Sequence, residues 1–481
     1  MKKNRWLIGI IVIISIFWEI TFISPALSSN DAYCRFDQNS VNSKAQLREQ
    51  NFRTNNAQAR QQYQQILQQH NQRLRDCRNR NWLKEQAIWL RLYPCDVREG
   101  SIDKVLDQIV NLGYNAVYVE VFFDGRVLLP KNGNNTPWAS VVNTPGYENR
   151  DLYAETLQKG RERGLKMYAW MFALNYGYSY GIRSDRTSVL AINGQGENSI
   201  EYVDDRSQAF VDPYNPIARQ DYNRLLQAVL QRRPDGVLFD YIRYPRGSGS
   251  ASVASRVKDL WIYGNASRQT LLRRAQNNQG RWLLERYVNQ GFINGNDLQQ
   301  VRSLFPEETT PLWQGRNPAA SSDLTTLQLD LWYFTVAHAA QGVIDFLDLA
   351  VSQARQQGIR AGAVFFPEGN QPVGQIGFDS RLQPWDNFEQ NIEWHPMSYA
   401  LCGNASCITR QVQTVIDSSS NASNVKPVLA GQWGRNEGLR PSLETQMEGI
   451  RRANGGITSI SHFAYSWIEP QHTRERESCR F

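Results

Sequence analysis

One carboxylate stands at the end of a strongly apolar stretch, where it could take part in acid–base chemistry. Asp240 closes the run Gly-Val-Leu-Phe-Asp (residues 236–240), and Arg243 and Tyr244 follow shortly after it. An ionised aspartate is rarely buried without a partner, so Asp240 beside Arg243 indicates either a structural ion pair or a charged reactive group held by the arginine. Because the end of an apolar strand is a common place for reactive residues, we favour the second interpretation.

Two glutamates could supply a second carboxyl group. Glu368 lies in Val-Phe-Phe-Pro-Glu-Gly (residues 364–369), where proline and glycine predict a loop, and Glu120 lies inside the apolar run 116–123. One acid and one base held in different environments can share the proton transfers of a hydrolytic reaction. We prefer Glu368 as the acid and place Glu120 second. The alternatives are that Glu368 is an exposed loop carboxylate and that Glu120 is the buried partner of an arginine such as Arg91.

Short apolar strands that alternate with helical patterns must position these carboxylates. This alternation is typical of βα units around a parallel sheet, and eight such strands predict a closed (β/α)₈ TIM barrel with its site at the strand C-termini. The predicted strands are 87–93, 116–123, 166–173, 236–241, 360–366, 392–399, 425–432 and 457–467. The predicted helices between them include 101–112, 152–163, 217–231 and 324–356.

The barrel domain is predicted to span residues 82–481, with two additions. Residues 30–81 are rich in Gln, Asn and Arg and contain no glycine or proline, which predicts a polar helix or a helical hairpin. Residues 247–322, after the fourth strand, are too many for a simple crossover and predict an insertion, with helical pieces around 257–261 and 282–288. Such an insertion is a candidate wall or lid of the site.

The first 29 residues have the pattern of an export signal. Basic residues precede the apolar run 6–23, and small residues follow it. The run is also about as long as the shortest membrane-spanning helices, so an uncleaved anchor is the alternative. In both cases we expect an exported protein, whether periplasmic, secreted or anchored on the outer side of the cytoplasmic membrane. Any membrane contact is expected through this segment only.

Cysteine, histidine and charge patterns restrict the other classes of function. Six cysteines in an exported chain predict three disulfides with fifteen possible connectivities, and Cys402 and Cys407 are close enough to close one loop. The five histidines show no zinc-type spacing, and no phosphate loop, metalloprotease motif or esterase elbow is present, so no metal and no cofactor is expected. The net charge of +7 forms no clustered basic stripe, which argues against nucleic acid as a partner.

Four stretches resemble the glycosyl-hydrolase-like family 10 barrel proteins, which are bacterial and exported. Leu-Phe-Asp-Tyr-Ile-Arg-Tyr-Pro (residues 238–245) and Phe-Val-Asp-Pro-Tyr-Asn-Pro (210–216) are similar to motifs of that family, and 119–126 and 164–170 look like its second and third strands. The resemblance is good over 82–245 and looser over 360–467. The sequence departs from the pattern in the apolar run ahead of Gly125 and in the long insertion.

The resemblance implies a carbohydrate-active barrel that acts on a polysaccharide or a cell-envelope glycan. Glycoside cleavage needs two carboxyl groups, and Arg243 would favour the ionised form of Asp240, which suits it as nucleophile or base. Sugars also need aromatic platforms and polar groups. A barrel that binds glycans without cleaving them, and an envelope scaffold, are the alternatives. The candidate substrate-binding residues are Arg243, Tyr244, Arg126, Trp170, Asn175, His395, Tyr399, Gln432, Trp433, Tyr465 and Trp467.

Overall fold

Eight parallel strands with helices between them form a nearly closed (β/α)₈ barrel, as predicted. The computed structural model describes residues 32–54 and 56–477, so the predicted export segment and Cys479 lie outside the described residues. Around the barrel, the order is β6-β5-β4-β3-β2-β1-β8-β7, and β6 meets β7. The strands are β1 (Glu85–Leu90), β2 (Ala116–Phe123), β3 (Lys166–Phe172), β4 (Gly236–Asp240), β5 (Arg360–Phe365), β6 (Glu393–Pro396), β7 (Val428–Ala430) and β8 (Ser459–Phe463).

All eight strands fall within or beside the predicted apolar runs. The runs are apolar because helices and the barrel interior bury both faces of most strands. The last strand is shorter than predicted: it ends at Phe463, and Tyr465 and Trp467 lie in the short helix Tyr465–Ile468 instead. Apolar residues in a helix and in a strand give similar runs, so the sequence pattern did not separate the two elements.

The helices include the four that were predicted. The fifth crossover, between β5 and β6, has the 3₁₀ turn Trp385–Asn387 and a short hairpin in place of an α-helix. Among the described residues, the helices of eight or more residues are α1 (Gln38–Thr54), α2 (Ala57–Arg80), α3 (Ser101–Asn111), α4 (Leu152–Glu162), α5 (Pro216–Leu230), α6 (Asn265–Arg273), α7 (Asn278–Gln290), α8 (Gly295–Leu304), α9 (Leu324–Gln356), α10 (Ser406–Ser418), α11 (Leu443–Ala453) and α12 (Pro470–Glu477).

The helix α9 is the one described helix that is long and apolar enough to cross a membrane. Most of its apolar stretch, 61%, is buried inside the protein, and α9 packs against β5 and α5 as a barrel helix does. Its N-cap, Asp323, accepts a hydrogen bond from the backbone N–H of Thr326 over 2.9 Å. The apolar composition of α9 therefore reflects its packing in the barrel core.

A layer of charged residues lies in the barrel near the N-terminal ends of the strands. The Lys426 ammonium, just before β7, pairs with Glu85 on β1 at 3.1 Å and with Glu393 on β6 at 2.8 Å. The Tyr168 hydroxyl on β3 donates to Glu393 over 3.0 Å. These side chains are buried or nearly so, and every charge has an opposite partner, as burial requires. Glu393 thus lies at the end of the barrel opposite to the strand C-termini.

The insertion contains α6, α7 and α8 and packs against the loop that precedes α5. Asp212 accepts a hydrogen bond from the backbone N–H of Ser267 in α6 over 2.9 Å, which fixes the insertion to the motif Phe-Val-Asp-Pro. The piece predicted as helical around 257–261 is the 3₁₀ turn Val257–Asp259 followed by extended chain. The Asp259 side chain accepts a hydrogen bond from the backbone N–H of Arg256, which is the N-cap of this turn, and the extended backbone of Leu260 ends the turn after three residues.

The helices α1 and α2 contact each other and pack on α3. The Cys34–Cys77 disulfide joins the residues before α1 to the end of α2. Asp107 on α3 is buried and pairs with Arg48 of α1 at 3.0 Å and with Arg163 at 2.9 Å, and the Tyr63 hydroxyl of α2 donates to it over 2.9 Å. The polar composition of this segment therefore serves a buried ionic contact with the barrel.

The predicted disulfide between Cys402 and Cys407 is present. It closes the loop between β6 and α10. Cys95 is also disulfide-bonded, and none of the described cysteines is free. Disulfides of this kind persist in oxidising compartments.

Candidate active site

A cavity of 230 Å³ opens at the C-terminal ends of β1, β2, β3 and β8. This is the end of the barrel at which such folds carry their sites. No residue of the insertion lines this cavity, so the insertion is not its wall. The lining residues come from strand ends and from the segment after β8, and they are Trp89, Arg91, Tyr93, Glu120, Trp170, Phe463, Ala464, Tyr465, Ser466, Trp467, Thr473 and Arg476.

Asp240 is the last residue of β4 and is 7% exposed. Its carboxylate accepts a hydrogen bond from the Trp170 indole N–H over 3.0 Å and another from the backbone N–H of Tyr241 over 2.6 Å. Burial raises the pKa of Asp240 to about 6, and these hydrogen bonds oppose the rise. Tyr241 has a φ of 52°, in the left-handed region that bulky residues rarely adopt, so the chain turns sharply directly after the carboxylate.

Glu120 lies inside β2, is fully buried and lines the cavity. It forms a two-contact ion pair with Arg91, one contact of which is 3.0 Å from Nη2 to Oε1. Burial raises the pKa of Glu120 to about 7, although Arg91 lowers it. Asp240 also raises the pKa of Glu120, so the two carboxyl groups interact electrostatically. The bidentate contact with Arg91 is the structural alternative predicted from the sequence.

Trp170 of β3 stands between the two carboxyl groups. Its Cα is the register partner of Glu120 on β2, and Phe172, two residues further on, is the register partner of Asp240 on β4. The Trp170 ring packs edge-on against Trp89 with centroids 4.9 Å apart. Asp240 itself does not line the cavity, but the indole that it binds does. The two carboxyl groups are therefore linked to one cavity by Trp170.

Arg243 does not form the predicted ion pair with Asp240. Its guanidinium lies over the rings of Tyr241, at 4.7 Å, and Phe210, at 5.4 Å, and donates a hydrogen bond to the backbone oxygen of Tyr244. The left-handed turn at Tyr241 directs the following residues away from the Asp240 carboxylate. Arg243 therefore lowers the pKa of Asp240 less than burial raises it. Arg243 therefore forms no salt bridge with Asp240, but its charge still lowers the pKa of that carboxyl, which is the direction expected from the sequence.

Glu368 lies in the loop after β5, as expected, but not in the cavity. Its carboxylate accepts a hydrogen bond from the Gln411 amide of α10, and its side chain is half-buried. Of the two candidate acids, the structure brings Glu120 to the cavity and does not bring Glu368 there.

Three predicted binding residues are buried in the framework. Tyr244 is fully buried, and its hydroxyl donates to the backbone oxygen of Ala339 over 3.3 Å. The Asn175 side-chain oxygen accepts from the backbone N–H groups of Gly177 and Ala209, which ties two loops together. His395 is fully buried on β6 and contacts Glu393 at 3.2 Å. These three side chains hold the barrel and its loops in place and do not line the cavity.

Two residues that were predicted to end the seventh strand lie elsewhere. Trp433 follows β7 but packs on the outside of the barrel, where its ring contacts Tyr33 and Arg35 and its N–H donates to the Tyr114 hydroxyl over 3.2 Å. Gln432 accepts a hydrogen bond from Arg435 within a tight turn. The strand β7 is only three residues long, so the chain has already left the barrel mouth at these positions.

The remaining predicted binding residues lie at the barrel mouth or are exposed. Tyr465 and Trp467 line the cavity, and Trp467 is 38% exposed, whereas the Tyr465 hydroxyl is bonded to Gln108 and His472. The Tyr399 ring contacts Phe463 at 6.3 Å. Arg126 is exposed beside the end of β2.

Two arginines of the mouth were not predicted as site residues. Arg91 follows the apolar run of β1 directly, and a charge at a strand end was the same signal that identified Asp240. Arg440 lies in the loop between β7 and α11, and its guanidinium is 5.6 Å from the Trp467 ring centroid. No pattern in the sequence marks that loop. Among residues 32–54 and 56–477, no group of three or more potential metal ligands converges.

Comparisons with known proteins agree with the motif resemblance. Residues 82–284 match the family described as Glycosyl hydrolase-like 10, which confirms the resemblance and indicates a glycoside-hydrolase-like barrel. No curated protein matches the sequence.

Solved structures that are similar to this chain include three glycoside-hydrolase structures. The PgaB (BpsB) glycoside hydrolase domain from Bordetella bronchiseptica is 13% identical, covering 82% of this chain and 98% of that one, with a TM-score of 0.48. A β-galactosidase from Marinomonas ef1 is 11% identical, covering 79% and 54%, with a TM-score of 0.47. A GH20 exo-β-N-acetylglucosaminidase from Vibrio harveyi is 8% identical, covering 82% and 52%, with a TM-score of 0.40.

Proposed function

We propose that this chain, whose residues 82–284 match the Glycosyl hydrolase-like 10 family, hydrolyses glycosidic bonds of a polysaccharide or a cell-envelope glycan. The reaction takes place outside the cytoplasmic membrane. Disulfides in the chain support that location, as does the predicted export segment. The observation that carries the proposal is the pair Asp240 and Glu120, which flank Trp170 and have pKa values raised toward neutrality.

Glu120 is the acid in this proposal, and Asp240 is the nucleophile or base. The raised pKa of Glu120, about 7, keeps a proton available near neutral pH, and the lower value of Asp240, about 6, leaves that carboxyl ionised. Glu120 gives its proton to the leaving glycosidic oxygen as the glycosidic bond breaks. As a base, Asp240 takes a proton from a water molecule whose oxygen bonds to the anomeric carbon. As a nucleophile, Asp240 bonds to the anomeric carbon, and water deprotonated by Glu120 then hydrolyses this glycosyl ester and releases the Asp240 carboxylate. Arg91 then pairs with the carboxylate that remains on Glu120.

Glu120 replaces Glu368 as the proposed acid because of position. Glu120 lines the cavity, whereas Glu368 is bonded to Gln411 of α10. Cavity walls made of Trp170, Phe463 and Trp467 offer faces on which sugar rings can stack. The residues Arg243, Tyr399 and Arg126 stay candidates for contacts at the rim.

A barrel that binds glycans without cleaving them is the second candidate. One observation favours it: the bidentate ion pair of Glu120 with Arg91 is also what a purely structural glutamate would form. In that case, the aromatic walls of the cavity bind sugar and no bond is broken. An envelope scaffold has no need of a cavity at the strand C-termini, so the cavity argues against it.

The test is release of reducing ends from a panel of envelope and plant polysaccharides. Asp240→Asn and Glu120→Gln each remove one carboxylate, and Glu368→Gln is the matched control outside the cavity; circular dichroism verifies that all variants fold. We expect a loss of roughly a hundredfold or more for the first two and little change for the third. Equal activity of Asp240→Asn and the wild type would contradict the proposed pair. Binding without release by the wild type would establish the second candidate.

A further inference from the structure

One corner of the barrel mouth, formed by Tyr399, Arg440 and Trp467, contains a guanidinium that has no anionic partner among the described residues. Arg440 lies in the loop between β7 and α11, which tight turns at 432–435 and 437–440 hold. Its guanidinium carbon is 6.0 Å from the ring centroid of Tyr399 and 5.6 Å from that of Trp467. Among the residues that the structure describes, no carboxylate lies within 4.0 Å of this guanidinium, and no side chain accepts a hydrogen bond from it.

The two arginines that line the cavity are paired, unlike Arg440 beside it. Arg91 is bonded to Glu120, and Arg476 is bonded to Asp96 with a contact of 2.6 Å. Their guanidinium groups donate to carboxylates inside the protein, so they offer little to an anion from outside. Arg440 differs, because its donors remain available at the rim.

Tyr399, whose ring faces the Arg440 guanidinium, also has an unused hydrogen-bond donor. The Tyr399 hydroxyl is buried and has no hydrogen-bond partner in the structure. Buried hydroxyls are normally bonded, and leaving one unbonded has a free-energy cost. Tyr399 lies close enough to Asp240 for that carboxyl to raise its pKa further above the burial effect. This unused donor is therefore near the proposed catalytic group.

A ring surface completes the corner. Trp467 is 38% exposed and lines the cavity, and Phe463 supports it edge-on with centroids 6.3 Å apart. An exposed tryptophan face can stack against the C–H face of a sugar ring. A stacked sugar would then carry its substituents toward Arg440.

We propose that this corner binds an anionic sugar residue, whose ring stacks on Trp467 and whose acidic group is bonded by Arg440 and Tyr399. The acidic group is a carboxylate, as in a uronic acid, or a sulfate ester; both are anions with several acceptor oxygens, which a guanidinium binds well. The inference rests on the proposed function and specifies its substrate class as an acidic glycan. The net charge of +7 favours approach of such a polymer.

The experiment measures binding of defined oligosaccharides by calorimetry. The probes are oligogalacturonate, its methyl ester, a chondroitin sulfate oligosaccharide, and neutral cello- and xylo-oligosaccharides. We expect an acidic oligosaccharide to bind roughly ten- to a hundredfold more tightly than the neutral ones, and affinity to fall as salt rises. The galacturonate and sulfate arms distinguish the two kinds of acidic group, and the methyl ester isolates the charge.

Variants connect the binding to the corner. Arg440→Gln is expected to weaken acidic binding roughly tenfold or more, and Arg440→Lys to restore part of it. Arg435→Gln is the matched control, since it removes one charge from the same loop at an exposed site bonded to Gln432. Equal binding of the methyl ester, unchanged acidic binding by Arg440→Gln, or binding of neutral glycans alone would overturn the inference.

Hydrolysis of the same probes separates this inference from the proposed function. Cleavage of neutral glycans alone would leave the proposed function standing and remove the inference. Binding of the acidic probes that depends on Arg440, without cleavage, would support the inference and contradict the proposed hydrolysis. Binding of none of the probes would contradict both.

Discussion

The Trp170 indole donates a hydrogen bond to Asp240 over 3.0 Å while the indole ring forms part of the cavity wall. The same side chain thus contacts the space for the ligand and influences the protonation of the carboxyl group. The bond stabilises the ionised form of Asp240 and lowers its pKa against the effect of burial.

Trp170→Phe should move the acid side of the pH–rate profile to higher pH. Phenylalanine keeps most of the ring contact but cannot donate, so the pKa of Asp240 rises and a larger fraction is protonated near pH 6. The kcat at pH 6 should fall roughly tenfold, as expected for one hydrogen bond to a charged group. Trp313→Phe, in the insertion, is the control and should leave the profile unchanged. A profile that does not move in Trp170→Phe would show that this bond does not set the pKa.

The wild-type pH–rate profile should be a bell with its maximum between pH 6 and 7. Activity rises as Asp240 ionises and falls as Glu120 loses its proton. Because Arg91 lowers the pKa of Glu120, Arg91→Met should move the basic side to higher pH. Arg452→Met, at an exposed position of α11, controls for the loss of one charge. A basic side unmoved by Arg91→Met would argue against Glu120 as the acid.

Stability should depend on pH through the buried histidines. All five have lowered pKa values in the folded protein, and that of His338 is lowered to about 3 by burial. As the pH falls below about 6.5, the unfolded chain takes up protons that the folded protein does not, so stability is lost. His338→Gln should make the free energy of unfolding less steep between pH 6.5 and 5, by up to about 1.4 kcal/mol per pH unit.

Urea unfolding at pH 7, 6 and 5 measures this effect in both proteins. The variant is needed because Asp212 and Asp240, with raised pKa values, take up protons in the folded state and oppose the trend. If the free energy of unfolding changed with pH in the same way for the wild type and His338→Gln, His338 would be taking up its proton in the folded protein as readily as in the unfolded chain.

The two described disulfides should contribute unequally to stability. Cys34–Cys77 spans 43 positions and Cys402–Cys407 spans five. Because a longer closed loop restricts the unfolded chain more, the double serine variants should lose about 4 and about 2 kcal/mol respectively in the loop-entropy model. Thermal unfolding of each double variant gives the comparison. A larger loss at Cys402–Cys407 would indicate that native-state contacts, and not chain entropy, dominate.

Asp107 should control the attachment of α1 and α2 to the barrel. Asp107→Asn leaves the buried Arg163 and the nearby Arg48 with less opposing charge, and we expect the free energy of unfolding to fall by about 3 kcal/mol. Limited proteolysis within residues 56–80 should become faster. Asp37→Asn, which breaks an exposed ion pair with Arg73, is the control and should have no measurable effect. Unchanged proteolysis in Asp107→Asn would mean that other contacts hold the helices.

The barrel could be predicted because strands buried on both faces produce long apolar runs in the sequence. Glu120, Trp170 and Asp240 could be placed for the same reason, since each is inside or at the end of such a run. The hydrogen bond from Trp170 to Asp240 could not be predicted. Arg243 is the close neighbour of Asp240 in the sequence, but the left-handed backbone of Tyr241 separates these two side chains.

Loop residues were the least predictable part of the site. Whether a residue after a strand faces the mouth or returns to the framework depends on the path of the loop, which long-range contacts decide. Asn175 binds Ala209, 34 residues away, and Trp433 contacts Tyr33 near the other end of the chain. Arg440 lies at the barrel mouth because two tight turns direct its loop there, so its position could not be deduced from the residues next to it in the sequence.

The barrel closes where its two end strands, β6 and β7, lie side by side, and only a short stretch of backbone hydrogen bonds joins them. The backbone N–H of Lys426 donates to the backbone oxygen of Trp394, and the backbone N–H of Ser398 donates to that of Val428. These isolated bridges take the place of a continuous ladder between β6 and β7. The Cys402–Cys407 disulfide lies in the loop directly after it. A backbone cut between these two cysteines therefore leaves the chain covalently joined through the disulfide. New chain termini at this position would separate β6 from β7, the two neighbouring strands that share the fewest backbone hydrogen bonds.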